Sequence, residues 1–380
     1  MFAGMGAQMD TLVVAWLVLV ETDNPFLVGL ISSTRLATNF VSLFAGAIAD
    51  RLPRRLVLAA VEFTLASLGL VMLVIVANDL LEVWHLFTIT FFVGMARLFQ
   101  MPAAQSLAID SAPPDKINTA VALTTMSMNL NLVVGPLLGG FLFEMFGPQG
   151  AYALIAALYA SSGITALFVR TVRITRSEQM ESMATAVLQG LRYVKGQQVI
   201  WAALLVAVII NLTGFPFHGT LVPIFAKDVL GRDAAGLGLL MSAFGVGAVA
   251  GSMFLSLFPN PKKVGKLLIL SVVVWHGSMA AFSTSTSFPV SMAILVATGF
   301  AFSSTLVLIM TPIWRTALPE YRGRIIGLRV LAIYASAVGS LNSGGLAGVF
   351  SPALAGNVSA VVGIGLTGVL ALVAPKLRRA

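Results

Sequence analysis

Long apolar segments run through the whole chain, and they restrict its fold more than any other feature. Stretches such as 68–77 and 201–210 are apolar throughout and show no alternation. A helix of about 20 apolar residues spans the hydrocarbon core of a bilayer, whereas a membrane β-strand alternates between polar and apolar residues over roughly ten positions. With 58% hydrophobic and 10% charged residues, the chain is too apolar for a soluble globule. The sequence therefore predicts an all-α integral membrane protein.

The polar connections divide the chain into twelve apolar segments of helical length. The predicted spans are 1–20, 26–49, 56–78, 83–108, 117–143, 150–169, 199–226, 235–258, 264–285, 288–313, 325–350 and 354–374. The one long polar interruption, 170–198, separates the first six segments from the last six. We therefore expect an N-terminal six-helix bundle at 1–169, a cytoplasmic linker with an amphipathic helix at 170–198, and a C-terminal six-helix bundle at 199–380.

Basic residues are concentrated in alternate connections. All but four of the 23 lysines and arginines lie in the basic connections or at the C-terminus, the exceptions being Arg35, Arg97, Lys227 and Arg232. Because cytoplasmic loops carry an excess of lysine and arginine, we expect the C-terminus and the linker to be cytoplasmic, in the plasma or inner membrane. The net charge of +8 is thus a topology signal, and no nucleic-acid partner is expected.

The sequence lacks the residue patterns of the common catalytic and cofactor sites. It has no cysteine and only three histidines, none at metal-ligand spacing. It also has no nucleophile elbow and no glycine-rich phosphate loop ending in Gly-Lys-Ser/Thr. We therefore expect no enzyme activity, no cofactor, no metal site and no ATP-driven pumping by this chain.

Several polar and ionisable side chains lie inside the apolar segments. An ionisable group at membrane depth costs about 2.5–3.5 kcal/mol on insertion scales, so it usually faces a cavity or a partner. The candidates for a central cavity and for proton coupling are Asp10, Arg35, Asn39, Glu62, Arg97, Gln100 and Asn131. The alternative is that these groups form ion pairs that only fix helix packing. For Asp10, desolvation favours the neutral carboxyl and a nearby arginine favours the ionised one, and the sequence leaves both open.

Two polar runs follow apolar segments, Gly46-Ala-Ile-Ala-Asp50-Arg51-Leu-Pro-Arg54-Arg55 and Leu318-Pro-Glu-Tyr-Arg322-Gly323-Arg324. The first resembles the loop between helices two and three of the major facilitator superfamily, and the second resembles the loop before helix eleven in exporters of that family. The resemblance implies a cytoplasmic latch formed by these two runs, with Asp50 near Arg322 and Arg324.

The other two motifs lie within apolar segments. Arg97-Leu-Phe-Gln100 resembles the fourth-helix Arg-x-x-Gln motif of the superfamily's proton antiporters, which implies a role in proton coupling. Gly135-Pro136-Leu-Leu-Gly139-Gly140 resembles the fifth-helix antiporter signature, and implies a hinge. Glycines four residues apart also let helices pack closely, so a static packing face is the alternative.

The resemblance covers about 6–372 and is closest to the drug:proton antiporter-3 or transmembrane secretion effector group, which includes macrolide and enterobactin exporters. It implies the major facilitator fold, with two pseudo-symmetric six-helix bundles, and a first helix that is short at its N-terminus. The implied function is proton-coupled antiport of a small amphipathic compound by a monomer in the lipid bilayer. The alternatives are a specific metabolite, siderophore or lipid carrier and a non-transporting receptor or scaffold.

Overall fold

The computed structural model describes residues 1–38, 53–169, 183–258 and 261–379, and these ranges contain helices and no strand. The helices in chain order are α1 (Phe2–Thr22), α2 (Pro25–Ala37), α3 (Arg54–Ala77), α4 (Val83–Asp110), α5 (Ile117–Phe168), α6 (Met183–Lys195), α7 (Gln198–Thr213), α8 (Ala234–Ser256), α9 (Val264–Ser283), α10 (Phe288–Thr316), α11 (Arg322–Leu331), α12 (Tyr334–Val349), α13 (Pro352–Val373) and α14 (Pro375–Arg379). Beyond α7, the helical path continues to Val229 through wider π-helical turns at Phe217–Leu221 and Phe225–Val229.

The membrane-spanning prediction is confirmed. Within the four described ranges, 10 helical stretches are long and apolar enough to cross a membrane. One of them, Thr119–Phe168, has 50 residues, more than twice the number that one crossing needs. The helix α2 precedes the range 39–52, which lies outside the described residues. The all-α membrane fold is therefore established, and the count of twelve spans stays a prediction.

The long helix α5 turns at a single residue. Gly147 has φ 68° and ψ −177° and is the one non-helical residue inside α5. This backbone region is essentially restricted to glycine. Pro148 follows, and proline favours the first position of a helix because its φ is preset. Helix α5 thus consists of two arms, 117–146 and 148–168, joined without a loop.

The chain forms two compact units. The first comprises 1–179 and 232–242, and the second comprises 180–231 and 243–380. The predicted boundaries at 169 and 199 stay a prediction. All the intramembrane candidates in the described ranges belong to the first unit.

Close helix contacts hold the first unit together. On α5, Gly135 and Gly139 face α1: a methyl group added at Gly139 would lie 3.2 Å from the Cα of Met9. On α3, an added methyl group at Gly69 would lie 3.4 Å from the Cα of Ala156 on the second arm of α5. These approaches pack α5 closely against both α1 and α3.

The predicted linker helix is present as α6, within the second unit. Its Tyr193 ring stacks on Tyr321 with the centroids 4.1 Å apart, and the Tyr193 hydroxyl accepts a hydrogen bond from the backbone N–H of Leu318 at 3.1 Å. The helix therefore packs against the turn that leads into α11.

Candidate functional site

Two of the predicted intramembrane arginines pair with a third predicted residue, Asp10. Asp10 lies in the middle of α1 and is 5% exposed. Its Oδ2 accepts hydrogen bonds from Arg35 Nη2 of α2 at 2.9 Å and from Arg97 Nη2 of α4 at 3.3 Å. A charge-assisted bond between guanidinium and carboxylate is roughly twice as strong as a neutral one. The pairing therefore ties three helices together around a buried charge.

Arg97 has more contacts than this ion pair. Its Nη2 also donates to the backbone carbonyl of Ala7 at 3.0 Å and to the hydroxyl of Tyr159 at 2.9 Å. The two hydrogens of this nitrogen are thus shared among three acceptors. The Nε of Arg97 is buried and has no hydrogen-bond partner within the described ranges, so one edge of the guanidinium is available for a further acceptor.

Arg35 completes the Asp10 cluster, which we define as Asp10, Arg35, Arg97 and Tyr159. Arg35 Nη1 donates to the hydroxyl of Thr11, whose own hydrogen goes to the Ala7 carbonyl at 2.8 Å. An ionised Asp10 between two guanidinium groups leaves one positive charge in excess. Such a charge at membrane depth is unfavourable unless an anion or water balances it.

A second polar pair lies beside the Asp10 cluster. Glu62 of α3 is 1% exposed, and its Oε1 accepts a hydrogen bond from Gln100 Nε2 at 3.1 Å. Gln100 is one helical turn beyond Arg97 on α4. The Oε2 of Glu62 has no hydrogen-bond partner in the described part of the chain, and Glu62 forms no salt bridge there.

The other two cavity candidates are not in these clusters. Asn131 of α5 is buried and lies against α1, where its side chain fills the space over Gly4. Asn39 lies outside the described residues. The Asn131 Oδ1 has no hydrogen-bond partner in the ranges that the structure describes.

The predicted hinge motif is closely packed on two sides. Gly135 and Gly139 face Gln8 and Met9 of α1, as described above. On the opposite side, Gly140 and the Pro136 carbonyl face the start of α8, where a methyl group added at Gly140 would lie 3.0 Å from the Cα of Gly238. The backbone at Pro136 is helical. The motif therefore forms a packing contact in this structure, and bending there stays a prediction.

The N-terminal part of the predicted latch is only partly within the described residues. Gly46, Asp50 and Arg51 lie outside them. Arg54, at the start of α3, pairs with Asp110, at the end of α4, with Nη1 to Oδ2 at 2.6 Å. Arg55 is exposed.

The C-terminal part of the predicted latch lies at the α10–α11 turn. Arg322 donates to the backbone carbonyls of Trp314 at 3.2 Å and Ala317 at 3.4 Å. Its guanidinium carbon is 5.4 Å from the centre of the Trp314 ring, so Arg322 caps the end of α10. Arg324 lies over the Tyr321 ring at 5.2 Å, and a methyl group added at Gly323 would meet nothing within 4 Å. The latch itself stays a prediction.

Sequence reasoning missed three residues of this region. Tyr159 and Thr11 belong to the hydrogen-bond network of Arg97 and Arg35, and Asp110 is the partner of Arg54. A buried tyrosine hydroxyl usually finds a hydrogen-bond partner. That signal points to both Tyr152 and Tyr159 on this arm of α5, and only the structure shows that Tyr159 is the one bound by Arg97. Asp110 is an acidic residue at a helix end whose neighbouring loops are basic, and that contrast is its signal.

Comparisons with known proteins identify the family and the fold. A family model described as transmembrane secretion effector matches residues 1–379. The multi-drug resistance efflux pump PmrA homolog of Lactococcus lactis is 23% identical over 63% of this chain, which spans only 57% of that relative. The enterobactin exporter EntS of Salmonella typhimurium is 27% identical over 94% of this chain and 86% of its own length. A bacterial homolog of the human lysosomal transporter Spinster has the same fold, with a TM-score of 0.75, 13% identity, and coverage of 99% of this chain and 94% of its own. The chain therefore belongs to the transmembrane secretion effector family of major facilitator transporters.

Proposed function

We propose that this membrane transporter is a secondary exporter that exchanges protons for a small amphipathic compound by alternating access. In this proposal it acts as a monomer in the plasma or inner membrane, with its C-terminus in the cytoplasm as the charge bias predicts. The proton gradient is a sufficient energy source, since moving one charge through 100 mV supplies about 2.3 kcal/mol.

One observation carries the proposal: two buried carboxyl groups of the first unit, those of Asp10 and Glu62, have very different surroundings. Asp10 is held by Arg35 and Arg97. The hydrogen-bonding neighbours of Glu62 are neutral, namely Gln100 and the Ser162 hydroxyl of α5, and its Oε2 has no partner within hydrogen-bond geometry in the described ranges. Protonating Asp10 would break two ion pairs. Glu62 can gain and release a proton without breaking any.

We therefore assign the proton to Glu62 and a positioning role to Asp10. The groups that face Glu62 are Gln100 and, one turn away, Arg97 of α4, together with the Ser162 hydroxyl of α5; the N-terminal amino group of Met1 also acts on its charge. Arg97 pairs with Asp10 and interacts electrostatically with Glu62, and its Nε has no hydrogen-bond partner in the described ranges. The charge on Glu62 can therefore act on the Asp10 cluster through Arg97. This coupling gives a physical route from proton binding to a change in the ion pairs between α1, α2 and α4.

A siderophore or another anionic metabolite is the second candidate cargo. The enterobactin exporter EntS is similar over 94% of this chain, and the Asp10 cluster has one positive charge in excess. An anionic group on the cargo would balance that charge. A test is whether a catecholate siderophore competes with a cationic dye for transport.

The proposal is tested in everted vesicles with ethidium as the probe. Ethidium uptake is expected to need a pH gradient and to collapse with a protonophore. ATP-dependent uptake that persists after the gradient is dissipated would refute proton coupling.

Two variants test the assignment of roles. Glu62→Gln removes the titratable group, so it should abolish gradient-driven uptake and keep exchange of labelled for unlabelled ethidium. Arg97→Lys keeps the charge and loses the planar fork, so it should express normally and transport poorly. Tyr152→Phe is the control, because the Tyr152 hydroxyl has no hydrogen-bond partner in the described ranges. Gradient-driven uptake by Glu62→Gln at the control rate would contradict the assignment.

A further inference from the structure

An apolar cavity of about 470 Å³ lies in the second unit, between the end of α8, the first turns of α9 and the middle of α10. The volume falls within the range of ligand pockets, about 300–1,000 Å³. The walls of the cavity include Phe254, Lys262, Leu270, Val274 and Ser304. This cavity is separate from the Asp10 cluster, and the transport mechanism does not use it.

Glycine contacts explain why the cavity forms at this place. Gly247 and Gly251 of α8 lie directly against the backbone of α10 at Val296 and Phe300. Large side chains follow in α8 at 253–255, and the Phe254 ring rests on Phe300 with the centroids 5.5 Å apart. The backbones of α8 and α10 are therefore in close contact up to Gly251. Beyond Gly251, bulky side chains separate the two helices, and the cavity lies between these side chains.

The cavity opens onto the lipid-facing surface. Leu270 and Val274 on its wall are 57% and 45% exposed, and both belong to a helix that is long and apolar enough to cross a membrane. They lie about 6 Å apart along the axis of α9, at 1.5 Å per residue. A hydrocarbon chain of the bilayer can therefore enter sideways and lie along α9.

One end of the cavity is cationic. Lys262 lines it in the connection between α8 and α9, on the side that the charge bias predicts to be cytoplasmic. Lys262 forms no salt bridge with any acidic residue of the described ranges. Basic pockets between membrane helices on the cytoplasmic side bind anionic lipid headgroups.

We propose that this cavity binds one anionic phospholipid of the cytoplasmic leaflet, with its phosphate at Lys262 and an acyl chain along α9. The Ser304 hydroxyl on the wall has no hydrogen-bond partner within the described ranges. An acyl chain offers it none, so Ser304 takes no part in the binding. This site does not rest on the proposed transport cargo.

The test is native mass spectrometry of the purified protein with equal amounts of phosphatidylglycerol and phosphatidylcholine. One phosphatidylglycerol should be retained in preference. A lysine near a membrane surface is worth about 1 kcal/mol of attraction to anionic lipid, so Lys262→Gln should reduce that preference about fivefold. Lys266→Gln is the matched control, since Lys266 is in the same basic stretch and outside the cavity wall. Equal effects of the two variants would overturn the proposal.

Two further variants test the acyl chain. Val274→Trp fills the cavity from an exposed position, so it should abolish retention of the lipid, whereas Val361→Trp, on the exposed face of α13, should not. Ser304→Ala should leave retention unchanged. A loss of retention in Ser304→Ala, or retention in Val274→Trp equal to that in Val361→Trp, would refute an acyl chain in this cavity.

Discussion

The hydroxyl of Tyr159 provides a sharp test of the Asp10 cluster. Tyr159→Phe removes one oxygen atom and leaves the ring in place, so the change is confined to the 2.9 Å hydrogen bond from Arg97 Nη2. A hydrogen bond to a charged group contributes about 1.5–3 kcal/mol. Tyr152, two turns earlier on the same arm of α5, is equally buried, and its hydroxyl has no hydrogen-bond partner in the described ranges. Tyr152→Phe should therefore be neutral or slightly stabilising.

The assay is thermal unfolding of the two variants and the parent in detergent, followed by intrinsic tryptophan fluorescence. In a domain of 150–250 residues, each kcal/mol shifts Tm by about 2–4 °C. We therefore expect Tyr159→Phe to lower Tm by several degrees and Tyr152→Phe to leave it unchanged. Equal losses would show that packing of the rings matters and the hydroxyl does not. An unchanged Tm in Tyr159→Phe would show that Ala7 and Asp10 alone satisfy Arg97.

Two other predictions follow from buried contacts. Asp10→Asn leaves the partly buried guanidinium groups of Arg35 and Arg97 without their anion, so it should destabilise the protein by about 3 kcal/mol, the low end for a broken buried pair. Adding Arg35→Gln should recover part of the loss in a double-mutant cycle, and strict additivity would rule out the pairing. Gly363→Ala places a methyl group against the buried ring of His276 and should cost about 1–3 kcal/mol, whereas Gly365→Ala on the same helix meets nothing within 4 Å and should keep the parent Tm.

The charges inside the apolar segments predicted the centre of the site. Asp10, Arg35 and Arg97 were identifiable because lipid cannot satisfy an ionised group, and the structure brings the three together. The sequence did not show which charges would pair. Asp10 forms ion pairs with both arginines, and Glu62 accepts a hydrogen bond from Gln100. Tertiary packing sets the depth and the rotation of each helix, and it therefore decides these partners.

The packing of the glycine-rich motif was less predictable. The spacing of Gly135, Gly139 and Gly140 indicated close packing of α5 against another helix. Only the structure shows that Gly135 and Gly139 contact α1 whereas Gly140 contacts α8. Likewise, one predicted span ended at 143 and the next began at 150, whereas the structure has a single non-helical residue between them, Gly147. The turn depends on two residues, Gly147 and Pro148. A two-residue signal is too short to alter the apolar pattern from which the spans were predicted.

The single-residue turn at Gly147 has a mechanical consequence for the protein. The first arm of α5 carries the glycine-rich motif, and the second carries Tyr159, which contacts Arg97. With no loop between the arms, there is no slack in the backbone to absorb a rotation of the first arm. We expect any such rotation to reach, through the two dihedral angles of Gly147, the arm that carries the tyrosine in contact with Arg97. An L-amino acid at position 147 would stiffen or misalign this joint, because only glycine adopts its dihedral angles readily.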